Sequence, residues 1–402
     1  MRMGQPLRIM ELTQIDFFSE AFQEDPYPTY AALRDEHPVF REPRYGVYVL
    51  TRFEDVDAAL RDHGTFRSGA GPAPMPMPED GPNMASIPLL AATDPPHHDQ
   101  LRGLVSRAFT PRRVAESEDR IRELTGHLVW NLPNGEFDLV PGLSVPLPVA
   151  VIAEILGVDA RHQEDFRRWS AATVGLMDRP PEPAMMQATV ELVGFFRSQM
   201  AARREHPQDD MISDLLRAEI DGRNLTEAEL DAFFIMLLVA GNETTTNLIS
   251  NQLSILAERP EVWKACRENR DLVPVALEET LRFDSPVQNL GRETTRDVEV
   301  RGVVIPRGSR VMVSFGAGNR DPERFEDPNE YRLDRQDDRH LAFGQGRHFC
   351  LGAGLARLEG QVVLNALLDR FERIEPGAAA PQRLHSTVIR GFDALPLVGV
   401  KG

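Results

Sequence analysis

The pattern of apolar and polar positions changes character several times along the chain. Residues 1–70 mix short helical and short strand signals. Asp25-Pro26-Tyr27-Pro28 opens a helix, because proline is tolerated only in a first turn. The run GVYVLT at 46–51 is β-branched and aromatic and predicts a strand, while 53–62 returns to helical spacing with Val56 and Leu60 four apart. From about 98 to 258 the periodicity is almost wholly helical, punctuated by prolines such as Pro133, Pro146, Pro180 and Pro207. The best-marked helix starts at Thr226, where Thr226-Glu227-Ala228-Glu229 reads as a capping box, and runs to Glu258 before Arg259-Pro260 ends it. That is about 33 residues, or ~50 Å. Its middle, FFIMLLVAG at 233–241, is apolar on every face, which predicts burial on all sides and an architectural spine. A helix follows over 271–283, then strands and turns over 292–314 and an irregular stretch over 318–346. After Cys350 comes a helix striped by Leu351, Leu355, Leu358 and Val362. The expectation is a mainly α fold with a minor β portion, built around the long central helix. No internal repeat or clean linker divides it, so 1–402 is read as a single unit.

Residues 71–88 carry six prolines and three methionines, a density that no helix or central strand survives. A surface linker and a ligand-contacting loop both fit. Methionine favours the second, since a solvated linker gains nothing from it while a plastic pocket does. The segment 71–90 is therefore expected to touch substrate.

Charge and cysteine content narrow the classes. With 45 basic against 62 acidic residues, the net charge of −17 repels phosphate backbones and argues against nucleic-acid binding. Two cysteines, Cys266 and Cys350, are too few for a disulfide framework or a four-thiolate zinc site. The start of the chain lacks a signal-peptide pattern, and the longest apolar run is far short of the ~20 residues that span a bilayer. A soluble, cytoplasmic protein without membrane attachment is expected.

The strongest chemical signal is FGQGRHFCLG at 343–352. Three glycines at set offsets from one cysteine arise by chance about 3 times in 10,000. Glycines let a backbone approach a flat ligand, and a helix start favours an ionised thiolate. A thiolate so placed serves as a nucleophile or as the axial ligand of a haem iron. Cys266 sits in the polar stretch WKACREN without such company and reads as inert.

The loop 343–352 resembles, at every fixed position, the Phe-Gly-x-Gly-x-His-x-Cys-x-Gly haem-binding loop of the bacterial soluble cytochrome P-450 enzymes. Four further segments match that family in order, so the resemblance covers nearly the whole chain and implies a single cytochrome P-450-type fold. It makes Cys350 the iron ligand. Ala240-Gly241-Asn242-Glu243-Thr244 matches the acid–alcohol pair that loosens the helix over the haem, with Thr244 donating to bound oxygen and Glu243 relaying protons. Many relatives have aspartate where Glu243 stands. Glu279 and Arg282, with Arg335 from the irregular stretch, match a structural lock behind the haem. His98 and Arg102, four apart on one helix face, match propionate ligands, as do Arg292 and His348.

The resemblance implies haem b as cofactor, O2 as co-substrate, and insertion of one oxygen atom into a C–H bond, by hydroxylation or oxidative demethylation. A separate ferredoxin or flavodoxin with its reductase would supply electrons to a monomer. Such donors are acidic, so a basic face with Arg112, Arg113 and Arg347 is expected near the cysteine. The substrate is expected to be a small hydrophobic organic compound, walled by 71–90, by mobile lid helices over 165–200, and by Leu89, Val239, Ala240, Val287, Leu290, Val388 and Ile389. Two alternatives stand beside this: a non-catalytic haem-based gas sensor or carrier, and a peroxide-driven hydroxylase. The Glu243–Thr244 pair weighs against both.

Overall fold

The computed structural model describes residues 15–75, 89–178, 182–335 and 339–401. Most of the expected 71–90 loop, residues 76–88, lies outside them.

The long helix forms where its cap predicts, over Glu227–Ala257. The Thr226 hydroxyl accepts from the Glu229 amide at 3.2 Å while the Glu229 carboxylate accepts from the Thr226 amide at 2.7 Å, so two of the four orphan donors at the helix start are satisfied. Helices Pro146–Leu156, Gln163–Asp178, Pro183–Glu205, Leu272–Phe283 and Ala353–Arg370 all pack against it. Two apolar cores divide its length. Phe233, Phe234 and Leu237 join Phe166, Trp169 and Phe196 at one end, whereas Ile249, Leu253 and Leu256 join Trp263, Leu364 and Phe371 at the other. Between them lies a stretch, 242–247, in which Asn242, Thr245, Thr246 and Asn247 are all buried. The spine is thus interrupted in chemistry though not in backbone.

Other expected helices form with shifts of a residue or two, among them Tyr27–Glu36, Phe53–Arg61 and Leu272–Phe283. The minor β portion is a five-stranded sheet in the order Val39–Arg41, Tyr48–Leu50, Arg310–Ser314, Asn289–Thr294, Phe66–Arg67. Only the Tyr48–Leu50 and Arg310–Ser314 pair is parallel. In its centre Arg292 lies opposite Val311 and Gly291 opposite Met312.

The span 98–258 is almost wholly helical, with short strands the periodicity did not show: Gly135–Asp138 pairs with Pro396–Val400, and Glu219–Ile220 and Arg223–Asn224 form a hairpin about Asp221 and Gly222. The first strand has four residues and a partner far along the chain, so no local periodicity betrays it. The hairpin did carry a local signal, the Asp-Gly pair.

One described helix, Glu227–Ala257, is long and apolar enough to cross a membrane, and 67% of its most apolar window is buried inside the protein.

Candidate active site

The cysteine loop is closed on itself before it meets the helix. Residues 346–348 make a single 3-10 turn, and the Cys350 amide donates to the Phe343 carbonyl at 2.8 Å. Gly346 has a positive φ of 69°, and a Cβ there would come within 2.8 Å of the Leu60 carbonyl oxygen, so the loop can lie against the helix Phe53–Arg61 only with glycine at this position. The loop delivers Cys350 just ahead of the helix Ala353–Arg370. Burial pushes the Cys350 thiol up, while the Gly352 amide and the positive charges of Arg102 and Arg357 oppose that shift and favour thiolate.

Cys350 lines a cavity of about 280 Å³ that the central helix also borders, through Ala240, Gly241 and Thr244. The Thr244 hydroxyl donates to the Ala240 carbonyl at 2.7 Å, a bond back along its own helix. The helix is continuous across Glu243 and Thr244 and is not loosened there. The hydroxyl takes up a carbonyl that keeps its place in the ladder, so nothing forces the helix open. Burial raises the Glu243 carboxyl to about 7, with Arg167 on the helix Gln163–Asp178 lowering it and Asp393 raising it further.

A third group gathers two imidazoles and two guanidiniums whose nitrogens are only partly partnered among the described residues. His98 is fully buried; its Nδ1 lies 2.9 Å from the Asp99 carboxylate and its Nε2 has no partner. His348 has a buried, unpartnered Nε2 as well, and the two rings lie 4.3 Å apart. Burial, together with the nearby charges of Arg292 and Arg102, lowers the His348 pKa to about 3. Arg292 is buried and donates to the Gly291 carbonyl at 2.8 Å, with no carboxylate at ion-pair distance among the described residues. Arg102 donates to the Phe349 carbonyl at 2.8 Å and borders the cavity. A buried guanidinium without a carboxylate partner, beside two imidazoles with idle nitrogens, marks the place of an anion. A sulfur, a hydroxyl and a set of anion-binding groups bordering one cavity fit a metal macrocycle with an acidic rim.

Glu279, Arg282 and Arg335 meet as expected. The Glu279 carboxylate accepts from Arg282 Nε and Nη2 at 2.7 Å each and from Arg335 Nε at 3.0 and 3.1 Å. Arg282 also donates to the Asn319 and Pro328 carbonyls at 2.9 and 2.8 Å. The buried pair thereby stitches the irregular stretch to the helix Leu272–Phe283.

The expected pocket residues divide. Ala240, Val287 and Leu290 line the cavity. Val239, Val388 and Ile389 do not line it; they pack with Val174 and Met177 in a small cluster that meets the cavity wall at Leu290. Leu89 turns to Ala92, Ala232 and Met236, and its neighbours Leu90 and Ala91 face the cavity instead. The 165–200 region forms the helices Gln163–Asp178 and Pro183–Glu205, packed on each other. Arg112 and Arg113 are exposed but share Glu116, and Arg347 pairs with Asp99.

Two site features were missed. Glu359 is buried in the helix after Cys350 and borders the cavity, with an unpartnered Oε2 and a pKa pushed up to about 8 by burial. Its signal was an acid between Leu355 and Val362 on an apolar stripe. Asp94 accepts from the Ser68 and Gly69 amides at 2.8 and 2.9 Å and so holds the chain beside Arg292. Nothing local distinguishes it from a surface aspartate.

The sequence pattern of the family described as Cytochrome P450 matches residues 182–391. Cytochrome P450 107B1 of Saccharopolyspora erythraea is 40% identical over 408 residues, covering 96% of this chain and 98% of its own. The vitamin D(3) 25-hydroxylase of Pseudonocardia autotrophica is 39% identical over 391 residues, covering 96% of each. The structure of a cytochrome P450 from Chondromyces apiculatus superposes with a TM-score of 0.88 at 38% identity, covering 97% of this chain and 99% of that one. A loop built to present one sulfur, a central helix carrying acid and alcohol that borders the same cavity and likeness along almost the whole length agree: the chain belongs to the cytochrome P450 family of haem-thiolate monooxygenases.

Proposed function

We propose that this monooxygenase hydroxylates or oxidatively demethylates a mid-sized, largely apolar organic molecule at haem b, with Cys350 as iron ligand. One observation carries the assignment of residues. The Cys350 sulfur, the Thr244 side chain and the edge formed by Arg102, Arg292 and His348 all border a single cavity. Haem, when bound, supplies the redox chemistry that divides dioxygen between a C–H bond and water.

The protein's part follows from its own groups. Gly352 and the charges of Arg102 and Arg357 favour the sulfur as thiolate. His98, Arg102, Arg292 and His348 would hold the two propionates, which would give the idle imidazole nitrogens partners. Thr244 presents the hydroxyl that orients dioxygen, and Glu243 holds a proton at its carboxyl near neutral pH. Apolar side chains such as Val287, Leu290 and Ala240 exclude water and receive the substrate, joined on lid closure by Val239, Val388 and Ile389. The helices over 165–200 act as that lid.

A separate ferredoxin or flavodoxin with its reductase supplies electrons to a cytoplasmic monomer. It docks where Arg112, Arg113 and Arg347 exchange their present partners Glu116 and Asp99 for its acids. The hydroxylase from Pseudonocardia, which acts on vitamin D(3), supports a polycyclic or terpenoid substrate. A library of such compounds screened by displacement of the Soret band identifies binders. Turnover of the best with a surrogate ferredoxin system under isotope-labelled dioxygen should place one labelled atom in the product. Product without label, or formed only when peroxide is added, would overturn the reading.

A further inference from the structure

Arg310 begins the strand Arg310–Ser314 and stands opposite Glu293 in the ladder with Asn289–Thr294. That glutamate is engaged elsewhere, with Arg67. The Arg310 guanidinium turns onto the main chain of residues 70–73. Nε donates to the Ala73 carbonyl at 3.0 Å, Nη1 to Ala70 at 3.3 Å, and Nη2 to Gly71 at 2.6 Å and to Ala73. Three carbonyls of a short coil thus converge on one side chain. A planar fork with five N–H donors can serve them all, whereas an ammonium acts from a single point.

Two other contacts complete the clamp. The Gly291 amide donates to the Pro72 carbonyl at 2.8 Å, and Asp94 takes the Ser68 and Gly69 amides. A Cβ on Gly291 would collide with both the Ala73 carbonyl and the Arg310 guanidinium, so the strand must carry glycine there. Burial lowers the Arg310 pKa to about 10, which leaves it charged at neutral pH and its bonds to the carbonyls charge-assisted. Pro72, in the middle of the clamped coil, borders the cavity it shares with Thr244, Arg292 and Cys350. Proline has no N–H to offer, so its contribution to that wall is apolar and rigid.

We infer that Arg310 is a positioning residue for ligand selection: it fixes Pro72 as part of the apolar wall against which the hydrophobic body of a ligand rests, without touching the ligand. The inference rests on the haem-thiolate reading above and adds a residue to it. A pocket wall held by several hydrogen bonds loses little freedom on binding and discriminates shape, and a loosened wall does not.

The test compares imidazole with 4-phenylimidazole on the ferric holoenzyme, each followed by its Soret shift. Imidazole needs only the iron; the phenyl ring needs the wall as well. Arg310→Met and Arg310→Lys are expected to weaken 4-phenylimidazole by about tenfold, with imidazole changed by less than about twofold. Pro72→Ala should act in the same way, and the double variant with Arg310→Met should be no weaker than either single one. Equal loss of both azoles, additive losses in the double variant, or no loss at all would overturn the inference. So would loss of haem from Arg310→Met, which would make the residue part of cofactor retention. Failure of imidazole to shift the Soret band of the unaltered protein would instead sink the haem-thiolate reading.

Discussion

His98 and His348 face each other with ring centroids 4.3 Å apart, and the Nε2 atom of each is buried without a partner. Two imidazoles left this way beside Arg292 form a site for negative charge, because each unsatisfied buried nitrogen costs stability that an anion can recover. Replacing Arg292 by alanine should speed haem loss by about 10- to 100-fold, the worth of one charge-assisted hydrogen bond. Transfer of haem to an excess of apomyoglobin measures the rate. An unchanged rate would remove Arg292 from the propionate site.

Thr244 donates its hydroxyl to the Ala240 carbonyl, a bond it must give up to serve dioxygen, so its removal leaves the helix ladder intact and takes a hydroxyl off the cavity wall. Thr244→Ala should therefore fold and bind ligand normally while diverting most reducing equivalents into peroxide. The ratio of product to electrons consumed reads this directly, and unchanged coupling would contradict the role.

Glu243 is the group whose pH response is most informative. Burial raises its pKa from the ordinary 4.5 to about 7, so it carries a proton below that pH and loses it above. A proton donor must be protonated, so coupled turnover should fall as pH rises through about 7. Glu243→Gln should turn over slowly and show a flat profile across the same range. An identical falling limb in the variant would assign it to another group.

These residues show how far the chain announces its own chemistry. The cysteine loop was legible because its parts meet locally; of the Glu279–Arg282–Arg335 lock only the first two share a helix face, and Arg335, far along the chain, was reached through the family resemblance. Capping made the central helix legible to within a residue. The strand Gly135–Asp138 was not, since its partner is supplied by residues 396–400. The pocket was half-legible. Leu89 and Leu90 look alike in sequence, and only the turn of the 3-10 helix Leu90–Ala92 decides which one faces the cavity. Arg310 and Asp94 went unread because what they bind is backbone, which leaves no pattern.

Glu359 offers a stability test independent of turnover. Its pKa rises from 4.5 to about 8 on folding, so the folded state binds the extra proton. The sign is then fixed: the protein is favoured below the unfolded pKa, and that advantage is lost as pH rises toward about 8, at no more than about 1.4 kcal/mol per pH unit. Glu359→Gln should remove this part of the slope and gain on the unaltered protein between pH 5 and pH 8. Denaturant unfolding at several pH values measures it. Parallel curves for the two proteins would show that Glu359 ionises normally.

The account as a whole depends on the Cys350 sulfur as the ligand to iron, and the carbonyl complex of the reduced holoenzyme tests that most directly. The unaltered protein should give the strongly red-shifted Soret band of thiolate ligation, and Cys350→His should bind haem yet give the shorter-wavelength band of imidazole ligation. A thiolate-type spectrum that survives in Cys350→His, or that never forms in the unaltered protein, would contradict the assignment.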